Sequence, residues 1–169
     1  SSGLHSSKYV QCAQLLSKPK QASLVCQSLA EKISLSIKNF DLILSPAMGG
    51  IIIGYEIGRI LNKETIFAER VNNKFILRRD FKIKKDAKVL LIEDVITTGK
   101  ASLECSKLII DAKAQIAGYA CIINRSNGNS DLQDKIVSQL DLHIPTYDKD
   151  SLPINLSSIK AVKPGSRNL

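Results

Sequence analysis

Histidine and cysteine are scarce in this sequence. There are two histidines and four cysteines, and no CxxC pair. That leaves little from which to build a structural zinc site. Long apolar runs are missing too. The longest, residues 116–123, is interrupted by Gly118 and Tyr119 and falls far short of a membrane span. No charged-then-apolar leader with a small-residue cleavage site is visible, so secretion is not expected. Aromatic residues make up only 5% of the chain, and the basic cluster from Arg78 to Lys88 holds a single one, Phe81, without the interleaving that stacking on single strands wants. The dinucleotide fingerprint GxGxxG is absent.

What is present describes an ordinary globular chain. At 169 residues and 44% hydrophobic, with a mean hydropathy near zero, it is long enough for one domain with a normal core. Cys12, Cys26, Cys105 and Cys121 are widely scattered, which suits the reducing cytoplasm. Cys105 and Cys121 fall in apolar patterns and are expected in the core. The net charge of +8 allows nucleic acid, a small polyanion, or merely a basic surface. With its cations spread from Lys8 to Arg167 and few aromatics, nucleic acid is the weaker of these, and neither nucleic acid nor membrane is expected as a partner.

The pattern alternates strands and helices. Val25, Leu29, Ile33 and Ile37 recur every four residues and predict a helix over 20–38. A buried strand is expected at 41–45, a turn at 46–50, a helix at 51–61 and a strand at 63–68. Residues 75–77 and 81–83 read as a small hairpin around Arg78-Arg79-Asp80, or as a mobile loop. Strands at 89–92, 115–124 and 140–144, a helix after Ser102, a polar helix or turn at 131–139 and a turn at 153–158 complete the pattern, with an extended stretch at 9–12. Such alternation of short buried strands with helices predicts an α/β fold, a mostly parallel sheet covered on both faces.

The most informative stretch is Lys88 to Ser102, KVLLIEDVITTGKAS. An apolar strand meets two acids, Glu93 and Asp94, then Val95 and Ile96, then a hydroxyl-rich loop, Thr97-Thr98-Gly99-Lys100-Ala101-Ser102. A helix N-terminus behind such a loop offers free N–H groups and partial positive charge to a phosphate. The carboxylates can accept hydrogen bonds from hydroxyls or face a bound cation. A triphosphate P-loop is ruled out, because it needs glycine where Asp94 stands and Ser or Thr where Ala101 stands. An isolated Glu-Asp pair would be read simply as the end of a strand; the whole string in order points to a sugar phosphate.

That string resembles the phosphoribosyl diphosphate (PRPP) motif of the type I phosphoribosyltransferases. The resemblance implies that Glu93 and Asp94 contact the ribose hydroxyls, and that the loop from Val95 to Ala101 wraps the 5′-phosphate. Other segments are similar to orotate phosphoribosyltransferases within that family. Ser1-Ser2-Gly3 resembles their first loop. Ala47-Met48-Gly49-Gly50, after Ser45-Pro46, is similar to their diphosphate loop. Phe67-Ala68-Glu69-Arg70 with Leu77-Arg78-Arg79-Asp80-Phe81 resembles their mobile loop. Arg125 matches their base-reading arginine, and residues 144–148 and 162–167 resemble their C-terminal segment. The likeness runs over 1–169 as a single domain with a small hood from the two terminal segments, and an N-terminal helical segment is expected to be missing.

The resemblance further implies transfer of the phosphoribosyl group of PRPP to orotate, Mg²⁺ as cofactor held mainly by substrate and water, and a homodimer with shared sites. Arg70 and Lys74 are the expected PRPP contacts, Lys74 the catalytic lysine nearest the diphosphate, and Thr97 and Arg125 the orotate contacts. Arg78 and Arg79 are the cations of the mobile loop. The chain departs from the common pattern at Ser1, at Ser45, at Gly49, in having Glu-Asp rather than Asp-Asp, and at Lys100. These departures leave open which cation meets the diphosphate. Two rivals also stay open: a transferase for a base without a carboxylate, and a regulatory module that senses PRPP and contacts nucleic acid.

Overall fold

The computed structural model describes residues 5–162. Contacts divide the chain into two compact units. The larger, 12–142, opens with a short helix α1 (Cys12–Leu16) and a long one, α2 (Pro19–Ser36). Pro19 starts α2 where its missing N–H is no loss and its fixed φ suits the first turn. Ala22, Cys26, Leu29, Ala30 and Ile33 form its buried stripe. There follow β1 (Leu42–Pro46), α3 (Gly49–Leu61), β2 (Glu64–Val71), β3 (Lys74–Leu77), β4 (Lys88–Ile96), α4 (Lys100–Asp111), β5 (Gln115–Asn124) and β6 (Ile136–Asp141).

The six strands make one sheet in the order β3-β2-β1-β4-β5-β6. All neighbours are parallel except β2 and β3, so the expected mostly parallel sheet is present. All five residues of β1 are buried, as in a strand covered on both faces. Helices α2 and α3 pack together on one face and α4 lies against the strands from the other. Leu42, Leu44, Val89 and Leu91 join Cys105 and Ile109 in a core on the α4 face. Side-chain alternation sends Ile43, Ser45, Leu90 and Ile92 toward α3. There Gly54 and Gly58 let the helix approach closely: a Cβ at either would overlap the hydroxyl of Ser45 or of Thr65.

Several expected boundaries are corrected. The hairpin joins β2 to β3 through Asn72-Asn73, and residues 78–87 contain no strand. Both asparagines have left-handed φ (48° and 63°), the conformation a two-residue hairpin turn requires. Residues 136–141, expected partly as a polar helix and partly as a later strand, form β6, parallel to β5. Cys12 starts a helix rather than ending an extended segment. Helix α4 begins at Lys100, and β4 runs on through the acid pair to Ile96.

The smaller unit holds segments 5–11 and 143–162 of the described residues. His5 and Tyr147 exchange backbone hydrogen bonds of 2.8 and 2.9 Å, an antiparallel bridge between the two terminal segments. A single 3₁₀ turn (Lys149–Ser151) and a one-turn helix α5 (Ile154–Ser157) follow. The expected turn at 153–158 is that helix. Ser1-Ser2-Gly3 and residues 163–167 lie outside the described residues.

Candidate active site

The order of the strands decides where a site can form. From β1 the chain moves outward one way to β2 and later returns on the other side as β4. Beyond such a reversal the carboxyl ends of the two strands leave a crevice. Pairing of β1 with β4 ends at Leu44 and Leu91, whereas β4 stays paired to β5 as far as Ile96 and Asn124. The acid pair and the diphosphate-loop segment therefore face each other across the opening.

Each side of the crevice ends at the start of a helix. Helix α3 begins at Gly49 and α4 at Lys100, and neither has a side-chain cap. Two uncapped N-termini bring two sets of N–H groups and two partial positive charges to one place. The Ala47 N–H donates to the Ala68 carbonyl at 2.8 Å and fixes the first loop, whose Ala47–Met48 peptide is cis. In the second loop, Thr97 and Thr98 are exposed and the Lys100 N–H donates to Thr98 Oγ1 at 3.4 Å. Gly99 takes φ 79°, the left-handed conformation that turns the chain into α4. The Lys100 side chain is exposed.

The two carboxylates are not equivalent. Neighbouring residues of a strand point to opposite faces. Glu93, 8% exposed, points toward the α4 face, where burial first and its own charge second push the Cys105 thiol up. Asp94 points the other way, over Gly49. A Cβ at Gly49 would lie 2.7–2.8 Å from the Asp94 carboxylate, so only glycine lets the loop sit this close. Cys12 Sγ lies 3.9 Å from the Asp94 carbonyl oxygen on the same side, and burial pushes its thiol up to about 12.

Arg125 follows β5, and its N–H donates to the Ile96 carbonyl at 2.7 Å, fixing its backbone beside the loop that leads into α4. Its Nε is buried with no hydrogen-bond partner among the described residues. A buried guanidinium nitrogen left in that state is suited to an anionic acceptor. Three of the other expected cations are engaged elsewhere. Arg70 donates to Glu104 Oε2 at 2.5 Å and to the Asn73 carbonyl at 2.7 Å, and lies over the Phe75 ring. Arg78 and Arg79 reach Glu69 at 3.5 and 3.0 Å, and Phe81 packs edge-on against Phe67. Lys74 stands exposed beside the hairpin turn, with no ion-pair partner among the described residues.

Sequence reasoning did not single out Leu132. Its side chain seats directly on Gly99, whose Cβ, if present, would lie 2.8 Å from Leu132 Cγ. A lone leucine in a polar loop gives no signal of that contact.

The phosphoribosyl transferase domain model matches residues 13–146. The chain is 45% identical over 168 residues to an orotate phosphoribosyltransferase of Rhizorhabdus wittichii, covering 99% of this chain and 86% of that one. It is 41% identical over 170 residues to an orotate phosphoribosyltransferase of Parvibaculum lavamentivorans, covering 100% and 88%. The chain belongs to the phosphoribosyl transferase domain family. Solved structures share this family's fold at low identity. An adenine phosphoribosyltransferase of Thermoanaerobacter pseudethanolicus matches with a TM-score of 0.70 at 16% identity, over 79% of this chain and 88% of that one. An orotate phosphoribosyltransferase of Aeropyrum pernix matches with a TM-score of 0.68 at 18% identity, over 79% and 78%.

Burial raises the Asp94 carboxyl above the ordinary carboxylate range, although the Val95 N–H, donating to Oδ1 at 3.0 Å, works against the shift. A raised value in the folded state means that the folded chain binds more protons than the unfolded one between the two values. Stability therefore falls as pH rises through that window, and the penalty is complete above it. Asp94→Asn is expected to raise the urea midpoint at pH 7, with the gain vanishing as pH falls below the unfolded aspartate value of about 3.9. A lower midpoint than wild type at pH 7 would contradict this account.

Proposed function

We propose that this protein transfers the 5-phosphoribosyl group of PRPP to N1 of orotate, giving orotidine 5′-monophosphate and diphosphate in pyrimidine synthesis. The observation that carries the reading is the crevice where β1 and β4 part, with an uncapped helix N-terminus on each side and Asp94 between them. PRPP has two anionic ends with a diol between, and this arrangement matches all three. The loop from Val95 to Ala101 takes the 5′-phosphate. The segment Ala47 to Gly50 takes the diphosphate. Asp94, with Glu93 buried behind it, faces the ribose. The names of the full-length relatives support orotate as the base.

Chemically, breaking the bond from C1 to the diphosphate leaves positive charge on the sugar and negative charge on the leaving group. Fixed carboxylates near the ring favour the first, and helix N-termini with cationic side chains favour the second. Arg125 pairs with the orotate carboxylate, and Thr97 lies within the same cleft. For the diphosphate, Lys74 is the cation with fewest competing contacts. Arg70, Arg78 and Arg79 must first leave Glu104 and Glu69; the pairs of Arg78 and Arg79 with Glu69, whose guanidinium ends are exposed, are the ones weak enough to exchange.

Mg²⁺ fits this donor set in a limited way. Among the described residues no group of three or more His, Cys, Asp or Glu side chains is arranged to hold a metal. Asp94 is the crevice carboxylate nearest the loop, so the ion would be held mainly by PRPP oxygens and water. Bound there, it would neutralise charge on the leaving diphosphate. Among the described residues no helix is long and apolar enough to cross a membrane. The four cysteines are free, which supports a reducing, cytoplasmic setting.

A homodimer is part of the same reading. Met48, Ile52 and Tyr55, 83%, 52% and 66% exposed, form a stripe along α3 at helical spacing. It begins at the diphosphate loop, so a second copy covering it would border the site. Tyr55→Asp is expected to shift sedimentation toward a monomer and to lower turnover with it. A wild-type chain that sediments as a monomer at micromolar concentration would refute the dimer.

The direct test is diphosphate release from PRPP and Mg²⁺ with orotate, hypoxanthine, adenine or uracil. Orotate alone is expected to support turnover; release with a base lacking a carboxylate, and none with orotate, would overturn the reading. Arg125→Ala is expected to raise the KM for orotate by about ten-fold or more, since a charge-assisted pair is worth roughly 1.5–3 kcal/mol, with the KM for PRPP nearly unchanged. Equal effects on both would argue against carboxylate recognition.

A further inference from the structure

The segment after β5 is fastened to the phosphate loop at both ends. At one end the Arg125 N–H donates to the Ile96 carbonyl at 2.7 Å. At the other, the Asp131 N–H reaches the Thr98 carbonyl at 3.5 Å, and the Leu132 side chain straddles the Cα of Gly99. Between these ends the segment is tied to itself. The Ser126 N–H donates to Asn124 Oδ1 at 3.0 Å, and the Asn129 N–H to the Ser126 carbonyl at 2.8 Å. Leu132 is 8% exposed and belongs to the core on the α4 face, together with Cys105 and Ile109. The segment carrying the base-reading guanidinium is thus a hoop whose far end stands on the glycine of the phosphate loop.

Packing of this kind transmits displacement. Gly99 adopts a left-handed φ and has no side chain, so Leu132 rests on its backbone. Any adjustment of Gly99 as its loop closes on a phosphate must move Leu132 or open a gap beneath it, and close-packed interiors resist both. Whatever orders one loop lowers the cost of ordering the other.

We infer that Leu132 is a positioning residue that couples the two subsites: occupation of the phosphate loop fixes the 125–132 hoop, and Arg125 then receives the carboxylate ligand more tightly. The inference rests on the proposed role of Arg125 in carboxylate recognition. By linkage the effect is mutual, so a ligand on Arg125 tightens phosphate binding by the same factor.

The test is calorimetric titration of orotate into the full chain, with and without saturating ribose 5-phosphate, which carries the phosphate and diol but no leaving group. In the wild type, ribose 5-phosphate is expected to lower the orotate Kd by about five-fold or more, the lower end of typical coupling between sites. In Leu132→Ala the ratio falls to near one while each ligand alone still binds. Leu132→Met, close in volume, keeps the wild-type ratio, and it is the loss of the ratio in alanine with both single affinities retained that a role in fold stability alone would not predict. If the alanine variant fails to fold, Leu132→Val, one methylene smaller, is measured instead and must show a reduced ratio. A wild-type ratio near one, or an unchanged ratio in the variant that replaces leucine with a smaller residue, overturns the coupling. Orotate that fails to bind the wild type under either condition overturns the carboxylate reading of Arg125, and this inference with it.

Discussion

Everything at the site depends on β1 and β4 being neighbours only as far as Leu44 and Leu91. Backbone hydrogen bonding holds the two strands together below that point. Above it, β4 continues alongside β5 while β1 turns away into the loop before α3. The parting opens a crevice whose two lips are the starts of helices, and the N–H groups of both helix starts gather there. The partial positive charge of this crevice is therefore chiefly a property of topology. The chain's net charge of +8 is spread along the sequence and is not what makes this crevice.

Within that crevice, size matters as much as charge. Gly49 brings the loop against the Asp94 carboxylate, and Gly99 accepts Leu132 from above. In both places a glycine allows a second segment to touch its backbone. Burial that raises the Asp94 carboxyl belongs to the same closeness, since the loop displaces water from it. The Asp94 carboxylate is thus held at some expense to the stability of the fold.

Much of this was legible from the sequence because it is local. The strand, the acid pair, the hydroxyl-rich loop and the following helix are contiguous, and each element carries its own pattern of residues. The buried stripe of α2 and the uniformly apolar β1 are of the same kind. What could not be read depends on neighbours distant in the chain. Asn72-Asn73 is polar and carries no strand pattern of its own, and the tight turn exists only when β2 and β3 pair. Residues 136–141 have the mixed polarity of an edge strand and look helical or coiled until β5 supplies a partner. Nothing adjacent to Arg70, Arg78 or Arg79 shows that Glu104 and Glu69 will hold them. The periodicity of a strand does predict that Glu93 and Asp94 diverge, but only once the strand is known to run past them to Ile96.

The four free cysteines acquire a use from where they lie. All are buried, and burial pushes Cys26 up to about 11 and Cys12 and Cys121 to about 12, so thiolate is scarce on the folded chain. Cys26 sits under α2 on one face of the sheet, Cys105 and Cys121 in the core on the other, and Cys12 beside Asp94. Alkylation of a native thiol must therefore wait for its own surroundings to open. Without any added label, the chain carries four clocks, two for one face, one for the other and one against the Asp94 backbone, and their separate rates would chart which part of the molecule loosens first.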